Sequence, residues 1–292
     1  MQIIDGNLLA LEITQKIARD VFDNFGNRRP GLAIILAGDR EDSALYVDIK
    51  QQRAKEVGVD THLYKIEDRE TTDDILTLID YLNRDSEIDG ILVQLPLPKK
   101  YNTEKIIKAI DPRKDVDFFH PVNRQKIIQA TTVAEEPEIL PPVYGAIFFI
   151  LEKIGFIFPQ QTAVLVANSP IFADGLRKML ERRGMKVDIV SADDKDLAAK
   201  TKEADLLVSA VGRPRLIKAE MIKPNATVID VGISRETDGR VVGDVDFEEA
   251  KEMTAAITPV PGGIGPLTVA KVLENTWRLA RGFHSKNKLF NN

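Results

Sequence analysis

The chain has 292 residues, more than the roughly 250 that one hydrophobic core usually serves, so two domains are expected. Its residues are 43% hydrophobic and 29% charged, an ordinary globular composition, and a net charge of -5 argues against nucleic acid as the main partner. The absence of cysteine removes disulfides, thiol nucleophiles and thiolate metal sites, and His62, His120 and His284 are too scattered for a histidine-rich site, so no metal is expected.

The start, Met1-Gln2-Ile3-Ile4-Asp5-Gly6, has no basic segment followed by an apolar core, and no run approaches the roughly 18 apolar residues that span a bilayer. A cytoplasmic protein without a membrane partner is expected, with Lys286 and Lys288 on a solvated terminus. Leu32 to Leu36 reads as a strand, followed by a helix from about Ser43 to Val57 that Gly58 ends with a positive φ. His62 to Ile66 is the next strand. Thr72 offers an N-cap to a helix over Asp73 to Asn83, with Ile75, Leu78, Ile79 and Leu82 on one face. Gly90 to Leu95 is a third strand. This alternation implies parallel strands joined by right-handed helical crossovers, an open α/β sheet.

Around Ala134 to Pro142 the chain is rich in Glu and Pro without periodicity, which suggests a hinge. The alternation then restarts: strand Ala163 to Val166, helix Ile171 to Arg183 closed by Gly184, and strands Lys186 to Val190, Asp205 to Ala210 and Ala226 to Val231. Such apolar runs fit strands covered on both faces, in the layout of a nucleotide-binding fold. Near the end, Thr258 to Thr268 packs three glycines and three prolines into eleven residues, a shaped loop feeding a helix with Pro266 in its first turn.

Tyr46 and Lys50 stand four apart on a helix and share one face, which read alone is a solvated amphipathic surface. Gln94 sits where prolines end the third strand, at the carboxyl edge where ligands of open α/β sheets bind. Asp115 and Asp117 lie in a loop dense in charge, where turn chemistry is the plain alternative.

Taken together, Tyr46-x-x-x-Lys50, the Gly90 to Pro98 segment, Asp115-Val116-Asp117, Ala210-Val211-Gly212-Arg213-Pro214, Asp230-Val231-Gly232-Ile233, Gly243-Asp244-Val245 and the Pro259 to Thr268 loop occur in the order and spacing of a known family. The chain resembles bifunctional methylene-tetrahydrofolate dehydrogenase and methenyl-tetrahydrofolate cyclohydrolase from about Asp5 to Gly282. The resemblance implies an α/β protein of two domains: an open α/β folate domain over residues 1–139, completed by a C-terminal helix over 267–292 that packs back on it, and a Rossmann-like NAD(P)-binding domain over 140–266. It implies a catalytic Lys50 tuned by Gln94, a Tyr46 that stacks on the aminobenzoyl ring of a tetrahydrofolate, and an Asp117 that accepts hydrogen bonds from the pterin. Pro261, Gly262 and Gly263 would wall the folate, and Ala167, Asn168, Ser169, Ile171, Asp193, Gly212 and Ile233 would meet the dinucleotide. A homodimer through the second domain is implied as well.

The departures from the family pattern cluster. Its phosphate-binding G-x-S-x-x-x-G-x-P reads here Ala167 to Gly175, with alanine for both leading glycines and Asp174 near the helix start. Its P-C-T-P reads Pro141-Pro142-Val143-Tyr144, and Phe118 stands where glycine usually follows the binding aspartate. Asp193 and Asp194 would repel the extra phosphate of NADP, so NAD is favoured over NADP and a weakened dehydrogenase is expected beside an intact cyclohydrolase. A monofunctional cyclohydrolase and a noncatalytic folate-binding homologue are the alternatives.

Overall fold

The computed structural model describes residues 1–24 and 28–289; residues 290–292 of the expected C-terminal helix, and the side chains of His284, Lys286 and Lys288, lie outside the described residues. In chain order the elements are β1 (Gln2–Ile3), α1 (Gly6–Asn24), β2 (Gly31–Ala37), α2 (Glu41–Glu56), β3 (Asp60–Ile66), α3 (Thr72–Arg84), β4 (Gly90–Val93), α4 (Thr103–Ala109), α5 (Pro121–Gln129), α6 (Pro142–Lys153), β5 (Thr162–Ala167), α7 (Pro170–Arg182), β6 (Lys186–Val190), α8 (Leu197–Thr201), β7 (Leu206–Ala210), β8 (Thr227–Asp230), β9 (Ser234–Arg235), β10 (Val241–Val242), α9 (Phe247–Ala250), β11 (Ala256–Ile257) and α10 (Ile264–Leu289). Among the described residues no helix is long and apolar enough to cross a membrane, and no group of three or more acidic or histidine side chains is placed to hold a metal.

The chain divides into two compact units, and each is discontinuous. One comprises Ala10–Arg124, Glu138–Pro142 and the chain from Val269 onward; the other comprises Met1–Leu9, Gln125–Pro137 and Val143–Thr268. The chain passes between the units at 124/125, 137/138 and 142/143, the last two within or at the end of the Glu- and Pro-rich segment from about Ala134 to Pro142, and residues 1–9 group with the second sheet rather than the first.

The first unit is built on a parallel sheet in the order β3-β2-β4. Every residue of the central strand β2 is buried, as its unbroken apolar run requires. Ala33, Ile35 and Ala37 pack with Ile75, Ile79 and Leu82 of α3, while Leu78 lies partly buried at the margin of the same cluster. Helix α3 starts one residue earlier than expected. Thr71, not Thr72, is the N-cap: its hydroxyl faces the Asp74 N–H, and Asp74 answers by accepting from Thr71 N at 2.8 Å. Gly58 ends α2 at φ +76, the left-handed stop that the sequence suggests. Helix α10 joins this unit as the resemblance implies. The Asn275 amide on it, buried, donates to the carbonyls of Val116 and Leu140 at 2.8 Å each.

The second unit carries six parallel strands in the order β1-β11-β8-β7-β5-β6. The two-residue strands β1 and β11 have no periodic signal, and pairing makes them: Ile4 N donates to Ile257 O at 2.9 Å, and Gly6 N to Gly262 O at 2.8 Å. A Cβ on Gly6 would fall 1.6 Å from Gly263 O, and one on Gly263 would fall 2.4 Å from Pro259 O. Gly6 is therefore demanded by its backbone packing against this loop, and Gly263 by the loop's own close turn at Pro259. From β5 the chain builds outward to β6 on one side and to β7 on the other, so the strand order reverses there. Such a reversal opens a crevice at the carboxyl ends of β5 and β7.

Candidate active site

In the first unit, α2 places Tyr46 and Lys50 on one face, and the end of β4 meets them with Gln94. The Gln94 backbone N–H donates to Ile35 O at 2.9 Å, continuing the sheet one residue beyond the strand. Its side-chain Nε2 donates to Leu95 O at 3.0 Å, which turns Oε1 toward Lys50 Nζ at 2.8 Å. Burial pushes the Lys50 pKa down, because an ammonium loses solvation there, and the charge of Asp117 opposes the shift. Burial also raises the Asp117 carboxyl to about 6, against the pull of Lys50 and with a further push from Asp115. The Tyr46 phenol is raised by burial and by Asp42. Sequence spacing alone offered a solvated face; the structure instead couples Lys50 to Gln94 by a hydrogen bond and to Asp117 by charge, with Tyr46 half-buried one helical turn before Lys50.

Asp117 is held in place by its neighbour. Asp115, 2% exposed, accepts from Phe119 N at 3.3 Å, from His120 N at 2.8 Å and from Asn123 Nδ2 at 3.1 Å. A parallel bridge from Ile91 to Asp115 lays the same loop beside β4. The turn thus formed forces Phe118 to φ +62, the left-handed region, which for a bulky side chain costs about 1–2 kcal/mol. That conformation is the physical reason a glycine suits this position. Phe118 keeps the glycine-like backbone and tucks its side chain inside, 3% exposed.

In the second unit, the residues expected at the dinucleotide gather along the carboxyl ends of the strands. Ala167 ends β5, and exposed Asn168 and Ser169 follow it. Ser169 caps α7, Pro170 is the first residue of that helix, and Ile171 is 54% exposed. Gly212 follows β7 at φ +68, Ile233 follows β8 and is 49% exposed, and Asp193 follows β6. Two exposed isoleucines, a left-handed glycine and a helix N-terminus at the reversal of strand order fit a dinucleotide.

Two expectations about this site need correcting. Ala173 is 1% exposed, so its methyl lies inside the packing of α7 and is not presented to a phosphate; Ala167 is buried as well. The acids are not bare charges either. Asp174 Oδ1 lies 3.2 Å from Arg177, Asp194 accepts from Lys200 at 2.7 Å, and Asp193 takes both arms of the Arg213 guanidinium at 2.6 and 3.0 Å. Arg213 accordingly holds the Asp193 carboxyl below the usual carboxylate range.

The loops themselves hang on two buried carboxylates whose roles the sequence did not reveal, although both stand in motifs quoted above. Asp244, fully buried, accepts from Ser209 Oγ, Val211 N and Arg213 N, each at 2.8 Å. Asp230 accepts from Gly232 N at 2.9 Å, Asp244 N at 3.1 Å and Val245 N at 2.8 Å, and burial pushes its carboxyl up to about 7. A Cβ on Gly232 would fall 2.1 Å from Asp244 Cγ, and one on Gly243 would fall 2.0 Å from Asp230 Oδ2. The glycines of both motifs make room for the carboxylates.

This geometry agrees with what the chain matches among known proteins. The model of the tetrahydrofolate dehydrogenase/cyclohydrolase catalytic domain matches residues 4–117, and that of its NAD(P)-binding domain matches residues 141–284. The bifunctional protein FolD of Halothermothrix orenii is 42% identical over 285 residues, 97% of this chain and 99% of that protein. The crystal structure of the bifunctional enzyme FolD from Campylobacter jejuni has a TM-score of 0.91 at 35% identity, covering 97% of this chain and 99% of that one. The Trypanosoma brucei dehydrogenase-cyclohydrolase, solved with NADP and an inhibitor, has a TM-score of 0.91 at 31% identity, covering 96% of this chain and 97% of that one. Matched in both domains and over nearly its whole length, the chain belongs to the tetrahydrofolate dehydrogenase/cyclohydrolase family.

Proposed function

We propose that this chain interconverts one-carbon units carried on tetrahydrofolate, hydrolysing the methenyl form and oxidising the methylene form with a nicotinamide dinucleotide. The observation that carries the reading is the Lys50 amine held on Gln94 Oε1 in a site that lowers its affinity for a proton. Hydrolysis adds a water oxygen to the cationic one-carbon bridge, removes a first proton from that water, breaks one carbon–nitrogen bond, returns a second proton to the departing nitrogen and releases the remaining hydroxyl proton to solvent as the formyl carbonyl forms. A neutral Lys50 amine takes the first proton and gives back the second, a role that suits an amine with a depressed pKa. Gln94 cannot titrate, so it orients the amine without competing for the proton. Asp117 accepts from the amino group and ring N–H of the pterin, and the Tyr46 ring stacks on the aminobenzoyl group.

A bound NAD or NADP supplies the hydride acceptor. Ser169, Ile171, Gly212 and Ile233 would hold it, with Ala167 and Asn168 shaping the same turn. The Asp193–Arg213 pair favours NAD: a ribose diol donates to Asp193 without disturbing the pair, whereas a 2′-phosphate would take Arg213 and leave Asp193 facing an anion. The homodimer belongs to the same reading, and sedimentation at micromolar concentration tests it; a monomer there removes that part.

Lys50→Met should abolish methenyl hydrolysis while a folate analogue still binds within a few-fold, and hydrolysis at the unaltered rate rules out the mechanism. Binding of the analogue should weaken as pH falls through about 6, by up to tenfold per pH unit below it, since protonating Asp117 removes the acceptor. Asp117→Asn should flatten that profile as measured by calorimetry, and a profile that persists would assign the titration to another group. Asp193→Asn frees Arg213 and should improve NADP affinity about tenfold relative to NAD. If titrations show the ratio unmoved, the pair does not set cofactor choice.

A further inference from the structure

We infer that Tyr144 is a positioning residue for the dinucleotide, holding the first turn of α7 from its inner side through its phenolic hydroxyl; this rests on the nucleotide-binding reading above. Tyr144 lies on α6 and is 3% exposed. Its hydroxyl donates to the carbonyls of Phe172 at 2.6 Å and Ile171 at 3.1 Å. Its ring meets that of Phe172 edge-on, with centroids 5.8 Å apart and planes at 63°. The space for the phenol exists because residue 175 is glycine: a Cβ there would fall 2.7 Å from Tyr144 Oη and 3.0 Å from Cε2. Glycine inside a helix is disfavoured relative to alanine, so its presence in α7 calls for a reason, and the phenol supplies one.

The hydroxyl bonds to peptide units whose N–H groups point toward the N-terminal end of α7, where Ser169 caps the helix. The Ile171 carbonyl shares its peptide with the Phe172 N–H, and the Phe172 carbonyl shares its peptide with the Ala173 N–H. Donating to a carbonyl polarises its peptide and strengthens the N–H on the far side. This matters because the turn has few donors to offer. Pro170 has no N–H, Ala173 N already donates to Ser169 O at 3.0 Å, and Phe172 N reaches the Ser169 hydroxyl only at 3.4 Å. What an anion meets is then the Ile171 N–H, for which the helix itself supplies no acceptor, and the Phe172 N–H, whose peptide Tyr144 orients. The same contact joins two stretches in which the sequence departs from the family pattern, Pro141 to Tyr144 and Ala167 to Gly175.

The test is a titration of wild type, Tyr144→Phe and Gly175→Ala with NAD and NADP by calorimetry, with hydrogen exchange of the amides of residues 171–173 read in parallel and methenyl hydrolysis as the control for an intact first unit. Tyr144→Phe should raise the dissociation constant for the better dinucleotide about five- to tenfold, quicken exchange in the first turn and leave hydrolysis unchanged. Gly175→Ala, which helix propensity alone predicts to be favourable, should instead weaken dinucleotide binding and lower the melting temperature. Wild-type protein that binds neither dinucleotide overturns the cofactor reading and this inference together. Wild-type binding with Tyr144→Phe equal to it in affinity and exchange, or Gly175→Ala binding as well as wild type, overturns the inference alone.

Discussion

A carboxylate taken out of water costs several kcal/mol unless donors meet it, and this molecule uses that requirement to shape its loops. Asp115, Asp230 and Asp244 are each almost fully buried, and each collects backbone N–H groups from a segment that would otherwise have no partner for them. The loop that presents Asp117 exists in its observed form because Phe119 and His120 turn back to Asp115. The loops after β7 and β8 exist because Asp244 and Asp230 draw in Val211, Arg213 and Gly232. The aspartates that frame these loops are distinct from the groups proposed to bind and react there. Removing a framing carboxylate leaves three donors unpaired at once, whereas removing Asp117 would leave a loop whose backbone is still satisfied.

The sheets were legible in the sequence because their strands are buried on both faces and read as unbroken apolar runs. Leu32 to Leu36 and Ala163 to Val166 needed no further signal. The folate-side residues were legible only through the joint spacing of their motifs, since Tyr46 and Lys50 alone look like any solvated helix face. What distinguishes that face is the burial of the Lys50 amine and its contact with Gln94, 44 residues away, which no local pattern announces. The same limit applies to the nucleotide side. Counting acids suggested repulsion, but the bidentate Asp193–Arg213 pair spans 20 residues of sequence and joins the loops that follow β6 and β7 on either side of β5, which spacing alone does not reveal. The two-residue strands β1 and β11 carry no pattern at all; pairing defines them.

Phe118 and Gly175 show opposite ways of departing from a pattern. At Phe118 the backbone keeps the left-handed conformation and a large side chain accepts the strain, which stays tolerable because Asp115 fixes the turn around it. At Gly175 the side chain is given up, and another residue fills the vacated space. In both cases the environment, not the residue's own preference, decides what is allowed.

The interleaving of the two units bears on how the molecule can be taken apart. A cut at the Glu- and Pro-rich segment near residue 139 would separate β1 from β11, its partner, leaving a bare sheet edge on one fragment and an orphaned two-residue strand on the other. It would also strip the first unit of α10, whose Asn275 amide satisfies the Val116 carbonyl next to Asp117. Neither half is a module that could be exchanged between chains at that point. A rearrangement that preserved both contacts would have to carry the N-terminal strand and α10 together, although the contacts of the chain fall into two groups.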